Sequence, residues 1–160
     1  MNDVIRVQTE DFDVSQELAR LRGGDGRVGA VCSFIGTVRE VGGSETVRAM
    51  ELEHYPGMTE AAIAQMVEEA RRRFEVLGTT VIHRVGLLAP DDQIVLVAVT
   101  SPHRHDAFQA CEFLRDYLKT QAPFWKKETT PTGAHWVDAR DSDDAALTRW
   151  GIQATNARIS

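Results

Sequence analysis

The lysines of this chain are confined to one short segment. Lys119, Lys126 and Lys127 lie within residues 117–128, whereas the other fifteen fixed cations are arginines. An arginine stays protonated, but a desolvated lysine amine can act as an acid, a base or a nucleophile. The confinement therefore predicts chemistry at Lys119 and Lys126. The alternative is a solvated helix end, where cations complement the helix dipole, and it is strongest for Lys127.

Two arginines near predicted strand ends could hold an anion. Arg39 follows an apolar strand, and Arg104 follows a strand and opens a helix. A helix N-terminus favours negative charge, and a guanidinium can bind phosphate through two parallel hydrogen bonds. Ordinary surface charges remain the alternative for both arginines and for His103. Gly36, just before Arg39, marks either a bulge or the close approach of a ligand.

Pro123 connects the two leading lysines. Proline at this position clashes with the carbonyl of residue 119, so a preceding helix should end near Lys119. A reversal of the chain at Pro123 would bring Lys119 and Lys126 to one pocket. Mutual repulsion with Arg39 and Arg104 favours an uncharged amine there, and the same cluster would attract a phosphate or a carboxylate.

Composition excludes several classes of protein. The net charge of −6 argues against general nucleic-acid binding, and no apolar run is long enough to cross a membrane. The start of the chain does not resemble a signal peptide, so we expect a cytoplasmic protein. Cys32 and Cys111 are expected to be reduced and not nucleophilic. His103 and His105 do not face each other on a helix, so we expect no metal.

Hydrophobic periodicity predicts a mixed fold. Strands are predicted over residues 4–8, 28–38, 47–54, 79–85, 93–100 and 134–138. Helices are predicted over residues 14–21, 59–77, 104–119 and 141–150, with Thr59 as a cap and Gly78 as a stop. We expect strands 28–38 and 47–54 to pair as a hairpin. The order of elements indicates an α+β fold with helices on one face of a largely antiparallel sheet, in one domain (1–150) with a tail (151–160).

Five blocks of the chain resemble the large, catalytic subunit of molybdopterin synthase, the MoaE family. The blocks are FIGTVR (34–39), LEHYPGM (52–58), VIHRVG (81–86), SPHR (101–104) and DYLKTQAPFWKKE (116–128). They occur in order over roughly residues 4 to 150. Together they are far more specific than any one of them alone.

The resemblance implies an α/β hammerhead-type two-layer fold with a small additional antiparallel β subdomain. It implies a homodimer that binds a small ubiquitin-like sulfur carrier (MoaD-type) at each end, giving a heterotetramer. The carrier's C-terminal Gly-Gly tail would bear a thiocarboxylate. Sulfur would pass from it to cyclic pyranopterin monophosphate (precursor Z), forming the dithiolene of molybdopterin. Neither a cofactor nor a metal is expected for this transfer.

The resemblance also implies roles for individual residues. Lys119 would lie beside the carrier's terminal carbonyl as the leading catalytic residue, and Lys126 would be the second catalytic or positioning amine. The residues expected to bind substrate are Thr37, Val38, Arg39, His103, Arg104, Lys119, Lys126, Lys127 and Glu128. Phe34 is expected near the entry of the carrier tail, and Arg140 is a candidate to reach across the dimer.

A second function from another class competes with this one. A non-catalytic anion- or nucleotide-binding regulatory domain of similar architecture would also explain Arg39 and Arg104. It would give no reason for lysines on both sides of Pro123. Formation of a dithiolene product separates the two functions.

Overall fold

The computed structural model describes residues 2–42, 45–137 and 148–151. Its strands are β1 (Asn2–Gln8), β2 (Ala30–Thr37), β3 (Val41–Gly42), β4 (Glu45–Thr46), β5 (Ala49–His54), β6 (Gly78–Arg84), β7 (Gly86–Leu88), β8 (Gln93–Ser101), β9 (Phe124–Thr130) and β10 (Gly133–Val137). Its helices are α1 (Val14–Arg22), α2 (Met58–Arg73) and α3 (Arg104–Gln121). The predicted α+β class is confirmed. Within the described ranges, no helix combines the length and apolar character needed to cross a membrane.

The main sheet has the strand order β1-β6-β8-β2, in which only the β1–β6 pair is parallel. Strand β8 is apolar on both faces. Val95, Val97 and Val99 pack against α2 and α3, whereas Leu96 and Ala98 pack with α1 on the opposite side. The prediction that all helices lie on one face of the sheet is therefore wrong. A strand that is apolar at successive positions needs cover on both sides, and α1 supplies the second layer.

Helix α2 forms because its apolar residues recur at helical spacing. It begins after Gly57, whose positive φ of 83° suits glycine and whose N–H donates to the Glu60 carboxylate at 3.1 Å. Thr59, the predicted cap, lies inside the helix instead. Its hydroxyl accepts from the Tyr55 N–H at 3.0 Å and donates to the Pro123 carbonyl at 3.1 Å. It thereby joins the start of α2 to the turn after α3.

The end of α2 also differs from the prediction. The helix stops at Arg73, with Phe74 in an extended conformation, and Gly78 is the first residue of β6. Any Cβ at Gly78 would lie 2.8 Å from the Asn2 carbonyl. The glycine is therefore needed for close pairing with β1 and does not end the helix.

A second sheet, with the order β10-β9-β5-β7, is antiparallel throughout. The predicted hairpin of strands 28–38 and 47–54 is wrong, because β2 pairs with β8 whereas β5 pairs with β7 and β9. Between β2 and β5 in the sequence, β3 and β4 pair with each other in antiparallel orientation. The predicted strand 134–138 is present as β10. Most of the predicted helix 141–150 lies outside the described residues.

Candidate active site

A cavity of about 550 Å³ lies where the two sheets meet the C-terminal half of α3. Its charged lining consists of Arg39, Arg115, Lys119, Lys126, Asp116 and Glu128. The other lining residues are Phe34, Gly36, Thr37, Val38, Met50, Leu52, His83, Ile94, Val95 and Leu118. Cations outnumber carboxylates in this lining, although the whole chain is acidic. The site can therefore attract a small anion locally.

Helix α3 contributes Lys119 and Arg115, which lie one turn apart and so share a face of the helix. Asp116 beside them is buried. Its carboxylate accepts from the Arg115 guanidinium and from Trp150 Nε1 at 2.8 Å. The Arg115 guanidinium also lies 5.9 Å from the centre of the Phe34 ring. The contact between Arg115 and Phe34 joins the C-terminal half of α3 to β2 at the cavity wall.

The second sheet contributes Lys126 and Glu128 from alternate positions of β9. They pair across the sheet with Leu52 and Met50, and all four residues line the cavity. Lys127 falls between them, so its side chain points to the opposite face of the sheet. There its ammonium lies 5.6 Å from the centre of the Trp136 ring. The structure brings Lys119, Lys126 and Glu128 together and separates Lys127 from them.

The end of β2 forms the third wall. The cavity is lined here by four residues that the FIGTVR block had suggested for the site, namely Phe34, Thr37, Val38 and Arg39. The β2–β8 register shifts between Gly36 and Thr37, which identifies the bulge that the sequence left as one of two alternatives. A Cβ at Gly36 would lie 2.7 Å from Val95 Cγ1, so glycine also lets β2 approach β8 closely at this wall.

Two predicted site residues lie far from this cavity within the chain. His103 and Arg104 stand at the start of α3 and are exposed. Arg104 and Lys119 are fifteen positions apart in α3, which corresponds to about 22 Å along the helix. His103 Nε2 instead lies 3.3 Å from the Glu75 carboxylate. Arg140 lies outside the described residues.

Arg115 and His83 line the cavity but were not among the predicted site residues. Arg115 could have been found from its i, i+4 spacing to Lys119. His83 could have been found as the histidine directly after the apolar pair Val81 and Ile82 of β6. In the part of the chain that the structure describes, no group of three or more His, Cys, Asp or Glu side chains could hold a metal ion.

The α+β fold brings a basic cavity and two lysine amines together, an arrangement that can accommodate a small anionic molecule. Comparison with known proteins gives the family. The family model described as "MoaE protein" matches residues 7–121. The molybdopterin synthase catalytic subunit of Ralstonia nicotianae is 60% identical over 153 residues, covering 96% of this chain and 87% of that protein.

Solved structures agree with this comparison. The molybdopterin biosynthesis MoaE protein from Burkholderia ambifaria superposes with a TM-score of 0.81 at 56% identity, covering 96% of this chain and 100% of that one. A complex of subunits 1 and 2 of the molybdopterin-converting factor from Helicobacter pylori superposes with a TM-score of 0.69, covering 85% of this chain and 91% of that one. At 17% identity, this second likeness concerns the fold alone.

The chain belongs to the MoaE family, as the matched residues and the identity to its members show. The resemblance stated from five sequence blocks is thereby confirmed. So is the prediction of a sulfur-transferring enzyme subunit of molybdopterin biosynthesis. The roles of individual residues, the homodimer and the carrier's thiocarboxylate stay predictions.

Proposed function

We propose that this chain transfers sulfur from the thiocarboxylated C-terminus of a small carrier subunit to cyclic pyranopterin monophosphate, forming the dithiolene of molybdopterin. One observation carries the proposal. In a chain of this family, Lys119 and Lys126 line a single cavity together with Arg39. A cavity of about 550 Å³ is within the range of small-molecule sites.

The cationic lining supports binding of the substrate's phosphate. Arg39 offers a planar fork of donors and keeps its charge at every relevant pH. Arg115 also lines the cavity, where its guanidinium donates to Asp116 and lies over the Phe34 ring. The two arginines would hold the anionic end of the substrate, which leaves the lysine amines for the reacting groups.

The two lysines supply the groups that Arg cannot replace. Lys119 is exposed and Lys126 is half-buried. We assign Lys119 to the carrier's terminal thiocarboxylate, which its amine orients and with which it exchanges a proton during the transfer. Lys126 faces the pterin substrate and can exchange a proton with it. Phe34 and the apolar residues Met50 and Leu52 would line the path of the uncharged Gly-Gly tail.

We assign His103 and Arg104 to the site of a second copy of the chain. Within one chain, the length of α3 keeps them about 22 Å from Lys119, too far to share one substrate. A symmetric homodimer presents the same surface patch twice, so the start of one α3 can complete the cavity of its partner. The dimer expected from the resemblance would then be part of the catalytic unit.

A mixing experiment tests this assignment. Arg104→Ala chains and Lys119→Ala chains are combined and allowed to exchange subunits. If the sites are shared between copies, each mixed dimer keeps one intact site, and random mixing restores about a quarter of wild-type activity. If Arg104 acts in its own chain, every site keeps a defect and no activity returns.

The function itself is tested with the purified chain, a thiocarboxylated carrier and cyclic pyranopterin monophosphate. We expect dithiolene product to form, and none to form when the carrier ends in an ordinary carboxylate. A chain that binds the precursor but makes no product with the thiocarboxylated carrier would be a binding module, and the proposal would be wrong.

A further inference from the structure

His83 is a polar side chain buried at the wall of the cavity. It lies on β6 with 9% of its surface exposed, and it lines the same cavity as Lys119 and Lys126. Its ring stacks on Phe124, with ring centres 3.8 Å apart and planes 19° apart. Phe124 begins β9, the strand that carries Lys126. The stack therefore fixes the plane of the imidazole relative to the second sheet.

The hydrogen bond at one ring nitrogen determines what the other can do. His83 Nδ1 lies 2.8 Å from the backbone carbonyl of Arg84. A carbonyl oxygen can only accept, so Nδ1 carries the proton. In the neutral ring, Nε2 is then an acceptor. Among the described residues, no donor is hydrogen-bonded to Nε2.

The ring stays neutral under physiological conditions. Burial, and secondarily the nearby His54, lower the pKa of His83 to about 4. The other polar groups of the cavity are of different kinds. Arg39, Arg115, Lys119 and Lys126 offer donors when charged, the carboxylate of Asp116 is already bound by Arg115 and Trp150, and the carboxylate of Glu128 is a charged acceptor on β9. A buried acceptor without a partner is destabilising, and a donor on the ligand would remove that penalty.

We propose that Nε2 of His83 accepts a hydrogen bond from an N–H or O–H group on the heterocyclic part of the molecule that occupies the cavity. The cationic side chains hold the anionic group of that molecule, and His83 fixes the orientation of its ring system. His83 is thus a substrate-binding residue with no part in proton transfer. The inference rests on the proposed function, since it takes the occupant to be the pterin precursor.

Two substitutions test the two ring nitrogens of His83 separately. His83→Asn can keep a donor near the Nδ1 position and lacks any group at the Nε2 position. His83→Gln can place an amide oxygen near the Nε2 position and gives up the bond to Arg84. His54→Gln is the matched control, because His54 lies beside His83 but does not line the cavity. Thermal unfolding of each variant shows whether it is folded.

The readout is the dissociation constant for cyclic pyranopterin monophosphate, measured by calorimetry. We expect His83→Asn to weaken binding about tenfold, the value of one lost hydrogen bond. We expect His83→Gln to stay within about threefold of wild type on the same scale, and His54→Gln to bind like wild type. Unchanged binding in His83→Asn overturns the inference. So does the reverse order, with Asn normal and Gln impaired, which would make the Arg84 bond the important one.

A measurement on the wild-type chain keeps the test decisive if the variants do not fold. With ¹⁵N-labelled histidine, the Nε2 resonance of His83 should shift on addition of the precursor, as an acceptor nitrogen does when it gains a donor. No shift under saturating precursor overturns the inference. Product formation by the wild-type chain is measured separately, so a precursor that binds but is not converted contradicts the proposed function and not the role of His83.

Discussion

Acid should destabilise this protein through His83 before its carboxylates titrate. An unfolded histidine has a pKa of about 6.5, whereas burial lowers the pKa of folded His83 to about 4. Between these values the unfolded chain binds a proton that the folded chain does not. Stability therefore rises with pH across this window and is lost as pH falls through it.

The two pKa values set the size of the effect. The full difference corresponds to about 3 kcal/mol, reached only below pH 4, and about 2 kcal/mol of it is lost between pH 7 and pH 5. Asp11, Glu69 and Glu112 have lowered pKa values because of hydrogen bonds from Gln93, Arg73 and Arg149 respectively. Their contributions are lost only at more acidic pH, so the window from pH 7 to pH 5 isolates the histidine.

Urea unfolding at pH 7 and pH 5 measures this effect in the wild type and in His83→Gln. The glutamine does not titrate, so its loss of stability between the two pH values should be smaller by about 2 kcal/mol. The comparison uses the change with pH, so a constant penalty of the substitution cancels. Equal losses in the two proteins would refute the reasoning that His83 is buried in its neutral form.

Two further predictions use neighbouring residues as controls. Lys126→Ala should lower product formation at least about 100-fold, as expected for loss of a proton-transfer group. Lys127→Ala should keep most activity, because the Lys127 side chain points away from the cavity. Similar losses of activity in both variants would contradict the register of β9. Gly29→Ala should lower the free energy of unfolding in urea by about 3 kcal/mol, because the new Cβ would lie 2.2 Å from the Pro102 carbonyl oxygen. Gly26→Ala is the control and should be nearly neutral, because a Cβ there meets nothing within 4 Å.

The helices were largely predictable from the sequence because their information is local. The buried residues of α2 and α3 recur at helical spacing, and Pro123 limits the end of α3 to within a few residues. Strand partners were not predictable in the same way. Alternation identified the segments of β2 and β5 but carries no information on pairing, which depends on contacts distant in the sequence. The predicted hairpin failed for this reason.

Several lining residues of the cavity were predicted from the sequence. The placement of Lys127 was not, because the strand that carries it was missed. Residues 124–130 follow a proline and are largely polar, so no element was predicted for them and β9 was missed. Recognition of that strand would have put Lys126 and Lys127 on opposite faces. The predicted length of α3 already implied that Arg104 and Lys119 lie far apart within one chain. The family resemblance nevertheless assigned both residues to one substrate site.

The replacement of Lys119 by arginine tests most directly whether Lys119 acts as a catalytic amine. The substitution keeps the positive charge at the cavity wall and removes the amine that can lose its proton. With thiocarboxylated carrier and cyclic pyranopterin monophosphate, we predict that Lys119→Arg binds the precursor nearly as well as wild type. We predict that it forms dithiolene at least about 100-fold more slowly. Wild-type turnover by Lys119→Arg would contradict the account, because charge alone would then suffice at this position.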